Sequence, residues 1–140
     1  MDTKQLARFA TPGHFAHGRR EEVHRTRGAG YAYLHCVIDD RTRLAYAELH
    51  PDQRGATCAR VLRRAAAFFR AHGCGPVRAV MSDNALAYRH SGAFQAVLVE
   101  LGARHILIPP RTPRWNGKVC VSGSPVPSDG AARLPAIPLA

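Results

Sequence analysis

Residues 30–50 read GYAYLHCVIDDRTRLAYAELH. From Tyr31 to Ile38, Tyr31, Tyr33, His35 and Val37 alternate with Ala32, Leu34, Cys36 and Ile38. Both alternating sets are largely apolar, so this strand is covered on both faces and lies inside a sheet. Asp39 to Arg43 is a polar turn, and Leu44 to His50 is a second strand. Two strands joined by so short a turn pair antiparallel.

Downstream the period changes from strand to helix. Pro51 to Ala56 is a loop, and Thr57 is placed to cap a helix from Cys58 to His72. Val61, Leu62, Ala65, Phe68 and Phe69 form its apolar stripe, while Arg60, Arg63, Arg64 and Arg70 lie away from it. Gly73 and Gly75 stop the helix, with Pro76 just beyond. Val77 to Met81 is a short buried strand ending at Ser82–Asp83–Asn84. Ser91 caps a second helix, Gly92 to Leu101, with the stripe Phe94, Val97, Leu98 and Leu101, and Gly102 ends it. His105 to Ile108 is a last strand, closed by Pro109 and Pro110. Strands that alternate with helices pair in parallel. The fold class is therefore α/β, with an antiparallel hairpin followed by parallel strands and helices flanking a mixed sheet.

Upstream, residues 1–9 read as an extended piece and residues 10–29 as a long basic loop. Residues 121–140 are dominated by Pro, Ser, Gly and Ala without an apolar face, and we expect this tail to be disordered. No internal repeat is visible.

Bulk properties narrow the function. A chain of 140 residues has room for one domain with a real core. No apolar run is long enough to cross a bilayer, and the first residues hold no secretory core, so a cytoplasmic protein without membrane partners is expected. The cysteines Cys36, Cys58, Cys74 and Cys120 match no zinc spacing, and the first three are expected as buried thiols. A net charge of +10 points toward a polyanion, and phosphate backbone is its natural source.

Acidic residues stand near strand ends at Asp2, at Asp39 and Asp40, and at Asp83. Phosphodiester chemistry needs carboxylates converging on divalent cations, in two-ion sites roughly 3.5–4 Å apart. An isolated strand-end aspartate is more often a turn former. Asp40 with Arg41 or Arg43 fits that description in the DDRTR turn.

The blocks DTKQLARF (2–9), GYAYLHCVIDDRTRLAYAELH (30–50), VMSDNALAYR (80–89) and HILIPPRTPRWNGKV (105–119) occur in this order. The set resembles the integrase core of bacterial insertion-sequence transposases, which are related to retroviral integrases. The resemblance runs from Asp2 to Val119, giving an incomplete catalytic core at 1–119 and an unrelated tail at 120–140. It implies an RNase H-like fold with a mixed five-stranded sheet whose first strand is truncated.

The resemblance also implies an Asp–Asp–Glu triad holding Mg2+ or Mn2+, with Asp2 and Asp83 as the first two catalytic metal ligands. The third, a glutamate, belongs directly after the Asn116–Gly117–Lys118–Val119 segment, where Cys120 stands instead. A thiolate prefers soft metals, while magnesium and manganese want oxygen. The abrupt change after Val119 looks like a shift of reading frame. In the family layout Lys4, Arg8, Asn84, Arg111, Arg114, Asn116 and Lys118 flank the site and are candidate DNA contacts. Trp115 is a candidate stacking residue.

Two functions follow as expectations. One is divalent-metal-dependent cleavage and transfer of DNA, defective in this copy. The other is a non-catalytic piece that binds DNA, or that pairs with a full-length transposase or with itself.

Overall fold

The computed structural model describes residues 1–8 and 30–109. Arg111, Arg114, Trp115, Asn116, Lys118 and Cys120 lie outside the described residues, as do the basic loop and the tail. The described chain is a mixed α/β arrangement. Its strands are β1 (Asp2–Ala7), β2 (Tyr31–Ile38), β3 (Ala45–His50), β4 (Ala79–Ser82) and β5 (Arg104–Leu107). Its helices are α1 (Gly55–Ala71), α2 (Leu86–Arg89) and α3 (Gly92–Leu101).

The hairpin stands as read. β2 is the middle strand of a three-stranded antiparallel sheet ordered β1-β2-β3. Its turn is held by Asp39, whose carboxylate accepts from the Thr42 amide at 2.9 Å and the Thr42 hydroxyl at 2.6 Å. Arg43 pairs with Asp40 at 3.2 Å, so these aspartates act in the turn.

β4 and β5 form a separate parallel pair. The strands thus hydrogen-bond as two sheets instead of one five-stranded sheet. Where β1 meets β4, the Met1 nitrogen donates to the Met81 carbonyl at 2.6 Å.

α1 starts earlier than expected. It begins at Gly55 after Arg54, so Thr57 lies inside the helix instead of capping it. Thr57 is buried, and its hydroxyl accepts from Arg60 at 3.2 Å. Asp52 serves the helix start instead, accepting from the Arg54 amide at 2.9 Å. Ser91 caps α3 as expected, accepting from the Phe94 amide at 3.3 Å, and Gly102 closes the helix in the left-handed conformation at φ 63. The short α2, inside the block after Asp83, was not foreseen.

The larger part of the core lies between the helices and one face of the strands, and a smaller cluster of Ala32, Leu34 and Leu49 lies on the other face of the antiparallel sheet. Val61, Ala65 and Phe69 of α1 pack on Val37 of β2. Cys58, Ala59 and Leu62 of α1 join Val80 of β4, Tyr88 of α2, and Phe94, Val97 and Leu98 of α3. Each large apolar side chain so buried contributes about 1.5–3 kcal/mol. Cys36 and Cys58 are buried as expected, but Cys74 is only half-buried. Among the described residues no helix is long and apolar enough to cross a membrane.

Candidate active site

Strand alternation sets the direction of the first carboxylate. In β1 the residues Asp2, Lys4 and Leu6 lie opposite Cys36, Leu34 and Ala32 of β2, so these six share one face. Thr3 lies opposite His35 and shares the other face, toward α1. Asp2 therefore points away from the helices while its neighbour Thr3 points into the core.

Asp2 is half-buried, and its carboxylate accepts from the Thr3 amide at 2.9 Å. Burial pushes its pKa up, the Thr3 amide pulls it down, and the charge of Asp83 pushes it up again. That last influence brings the two aspartates of the resemblance into one electrostatic neighbourhood, from positions 2 and 83 of the chain.

Asp83 leaves the end of β4. Its carboxylate accepts from the Ala85 amide at 2.9 Å, which shapes the turn into α2. Asn84 donates its side-chain amide to the Ile108 carbonyl at 2.7 Å, tying this turn to the end of β5. Lys4 is exposed on the face that carries Asp2, and Arg8 is exposed just beyond β1.

Beneath the carboxylates lies a buried polar network, and its hydrogen-bond directions follow from chemistry. Burial lowers the pKa of His35, which keeps the ring neutral. Its Nε2 lies 2.9 Å from the Asp52 carbonyl, which only accepts, so Nε2 carries the proton. Nδ1 then accepts from the Thr3 hydroxyl at 3.2 Å. The Thr3 oxygen in turn accepts from the Tyr88 hydroxyl at 2.6 Å.

A second chain runs under Asp83. Gln95 donates its side-chain amide to the Tyr88 carbonyl at 2.9 Å and lies 3.3 Å from His105 Nδ1. Burial likewise lowers the pKa of His105. Its Nε2 donates to Ser82 Oγ at 2.9 Å, and Ser82 donates to the Asp83 carbonyl at 2.9 Å.

The sequence reading missed this network because its members are spread over the whole chain. It also missed Glu48, a buried acid on β3. Arg64 Nε donates to Glu48 Oε1 at 2.6 Å and Arg64 Nη2 to Oε2, while Tyr46 donates to Oε1 and His50 lies 2.7 Å from Oε2. Burial would raise this carboxyl, but Arg64, Tyr46 and His50 outweigh it and hold the pKa at about 2. So fixed an ion pair is a structural clamp between β3 and α1.

Asp2 and Asp83 supply hard oxygen donors, which suits a magnesium-type cation carried by one or two carboxylates and water. Among the described residues no group of three or more His, Cys, Asp or Glu side chains gathers to hold a metal. The donor chemistry of the pair suits one such ion, without the third ligand of a closed cage among the described residues.

Comparison with known proteins adds one match. The family model described as integrase core domain matches residues 15–113. That span includes Asp83 and Asn84 and stops short of Asp2, Asn116, Lys118 and Cys120. No curated protein matches the chain.

Proposed function

The chain belongs to the integrase core domain family, whose members act in DNA integration and transposition with a divalent metal, and from that premise we propose its particular role. It is the core of an insertion-sequence transposase, with its strands in an RNase H-like order, that binds DNA beside Asp2 and Asp83 but does not complete strand transfer.

The observation that carries this reading is the meeting of β1 and β4 through the Met1–Met81 bond, which brings Asp2 near enough to Asp83 to feel its charge. A half-buried carboxylate whose proton affinity is raised by burial and by a neighbouring carboxylate favours a cation beside it. Mg2+ or Mn2+ bound there would polarise the scissile phosphate as a Lewis acid. Asp2 and Asp83 hold it, and the Thr3 and Ala85 amides orient the two carboxylates. Lys4 on β1 and Arg8 just beyond it contact phosphates, as do Arg111, Arg114, Asn116 and Lys118 farther on, and Asn84 steadies the turn at the site.

The proposed defect rests on Cys120, which follows Val119 where the resemblance calls for a glutamate. With two carboxylates instead of three, the clamp on the reacting phosphate is incomplete.

Purified protein incubated with labelled duplex DNA and Mn2+ tests the reading. The expected result is a salt-sensitive mobility shift without cleaved or joined strands. Strand transfer would refute the defect, and failure to bind DNA at low salt would refute the reading altogether.

A further inference from the structure

Asp2 and Asp83 belong to two different hydrogen-bonded sheets. Their relative position therefore depends on what crosses between β1 and the β4–α2 segment. The Met1–Met81 bond is one such link. Another, among the described residues, runs through side chains and converges on Tyr88.

Tyr88 is 2 % exposed and sits five positions after Asp83, on α2. Its hydroxyl donates to Thr3, the residue next to Asp2. Its carbonyl accepts from Gln95, which also reaches His105, and His105 leads through Ser82 to the Asp83 carbonyl. One end of the Tyr88 residue thus grips the strand that carries Asp2, and the other joins the chain beneath Asp83. The ring is wedged against Phe94, with centroids 5.2 Å apart, so the hydroxyl has little freedom to follow a moving Thr3.

We propose that Tyr88 is a positioning residue, whose hydroxyl bond to Thr3 sets the separation of the Asp2 and Asp83 carboxylates and so the affinity of the pair for a divalent cation. This rests on the reading of Asp2 and Asp83 as the cation-holding pair. Tyr88 touches no reacting atom. It acts on the cation through Thr3, one bond further out than a direct partner of a metal ligand, whose loss typically weakens binding about 10–100-fold, so the lower end of that range is expected.

The experiment is calorimetric titration of Mn2+ into the full chain, well below its melting temperature, with a thermal melt of each variant in EDTA. The proteins are wild type, Tyr88→Phe, Thr3→Val, Thr3→Ser and Asp83→Asn. Tyr88→Phe removes one oxygen and keeps the buried ring, so it should weaken Mn2+ binding about tenfold while still melting cooperatively. Thr3→Val should do the same, and Thr3→Ser, which keeps the hydroxyl, should bind like wild type. A purely structural role would shift the melts of Tyr88→Phe and Thr3→Val without moving Mn2+ affinity.

If Tyr88→Phe binds Mn2+ as wild type does while Asp83→Asn does not, the clamp is overturned and the cation pair stands. If wild type and Asp83→Asn bind alike, the cation pair is wrong and the clamp falls with it. Should Tyr88→Phe not fold, the two Thr3 variants decide, and equal affinity between them overturns the proposal.

Discussion

Gly55 and Ser91 touch so closely that a Cβ on Gly55 would stand 2.0 Å from Ser91 Oγ and 2.9 Å from the Ala87 carbonyl. The start of α1 is thereby pressed against the junction of α2 and α3. Ser91 has little room to yield, because its hydroxyl caps α3 at the Phe94 amide. Gly55→Ala should therefore destabilise the domain by about 1–3 kcal/mol, through overpacking and loss of the cap. Urea unfolding of the two proteins checks this, and an unchanged midpoint would show that the close approach does not exist in solution.

Glu48 makes a prediction about acid. Its carboxyl ordinarily titrates at 4.5 and is held at about 2 in the fold. A depressed folded pKa gives stability that is present above the unfolded value and lost as pH falls toward the folded one. This contribution should therefore drain away from about pH 5 down to about 2. Glu48→Gln should cost about 1.5–3 kcal/mol at neutral pH, the range for hydrogen bonds to charged groups. The variant should also lose less stability than wild type on acidification through that window, as read by chemical unfolding at several pH values.

How much of this was legible in the sequence follows from how far apart the partners lie. The β2–β3 hairpin was readable because turn and alternation are local, and so was α3, with Ser91 at one end and Gly102 at the other. α1 was readable from its stripe, but its start was not. Thr57 looks like a cap in sequence, yet it is drawn into the core, and Asp52 instead holds the amide of Arg54 just ahead of the helix. α2 is four residues long and leaves no period to detect. Asp2 and Asp83 came from resemblance to a family, since nothing local joins them. Tyr88 was invisible as a hub, because its contact with Thr3 spans 85 positions. The pairing of Glu48 with Arg64 likewise forms only once β3 and α1 are packed.

Asp2 is a liability to the fold when no cation is bound. Burial and the Asp83 charge raise its pKa above 3.8, so the folded state favours the protonated carboxyl and pays for the charged one at neutral pH. Asp2→Asn keeps an oxygen for the Thr3 amide and removes the charge. In EDTA at pH 7 it should melt above wild type, and the gap should close as the pH drops below 3.8. Mn2+ at about a hundred times its dissociation constant should add about 2.7 kcal/mol to wild type and little to the variant, reversing the order. An Asp2→Asn protein that melts lower in both buffers would mean that the carboxylate has a structural partner instead of a cation.

The last prediction concerns the net charge of +10. If that charge serves phosphate binding, affinity for duplex DNA should fall steeply with salt, because each neutralised phosphate releases condensed counterion. Lys4 shares its sheet face with Asp2, and Arg8 follows β1 directly. On the proposed reading, both would lie along the path of DNA that brings a phosphate to the carboxylates. Lys4→Ala and Arg8→Ala should each weaken binding to duplexes of any sequence and lower the salt slope by about 1. Fluorescence anisotropy of a labelled duplex over a salt series measures both quantities. Unchanged slopes in both variants would move the DNA track off β1, and an affinity indifferent to salt would leave the excess of arginine and lysine without a phosphate partner.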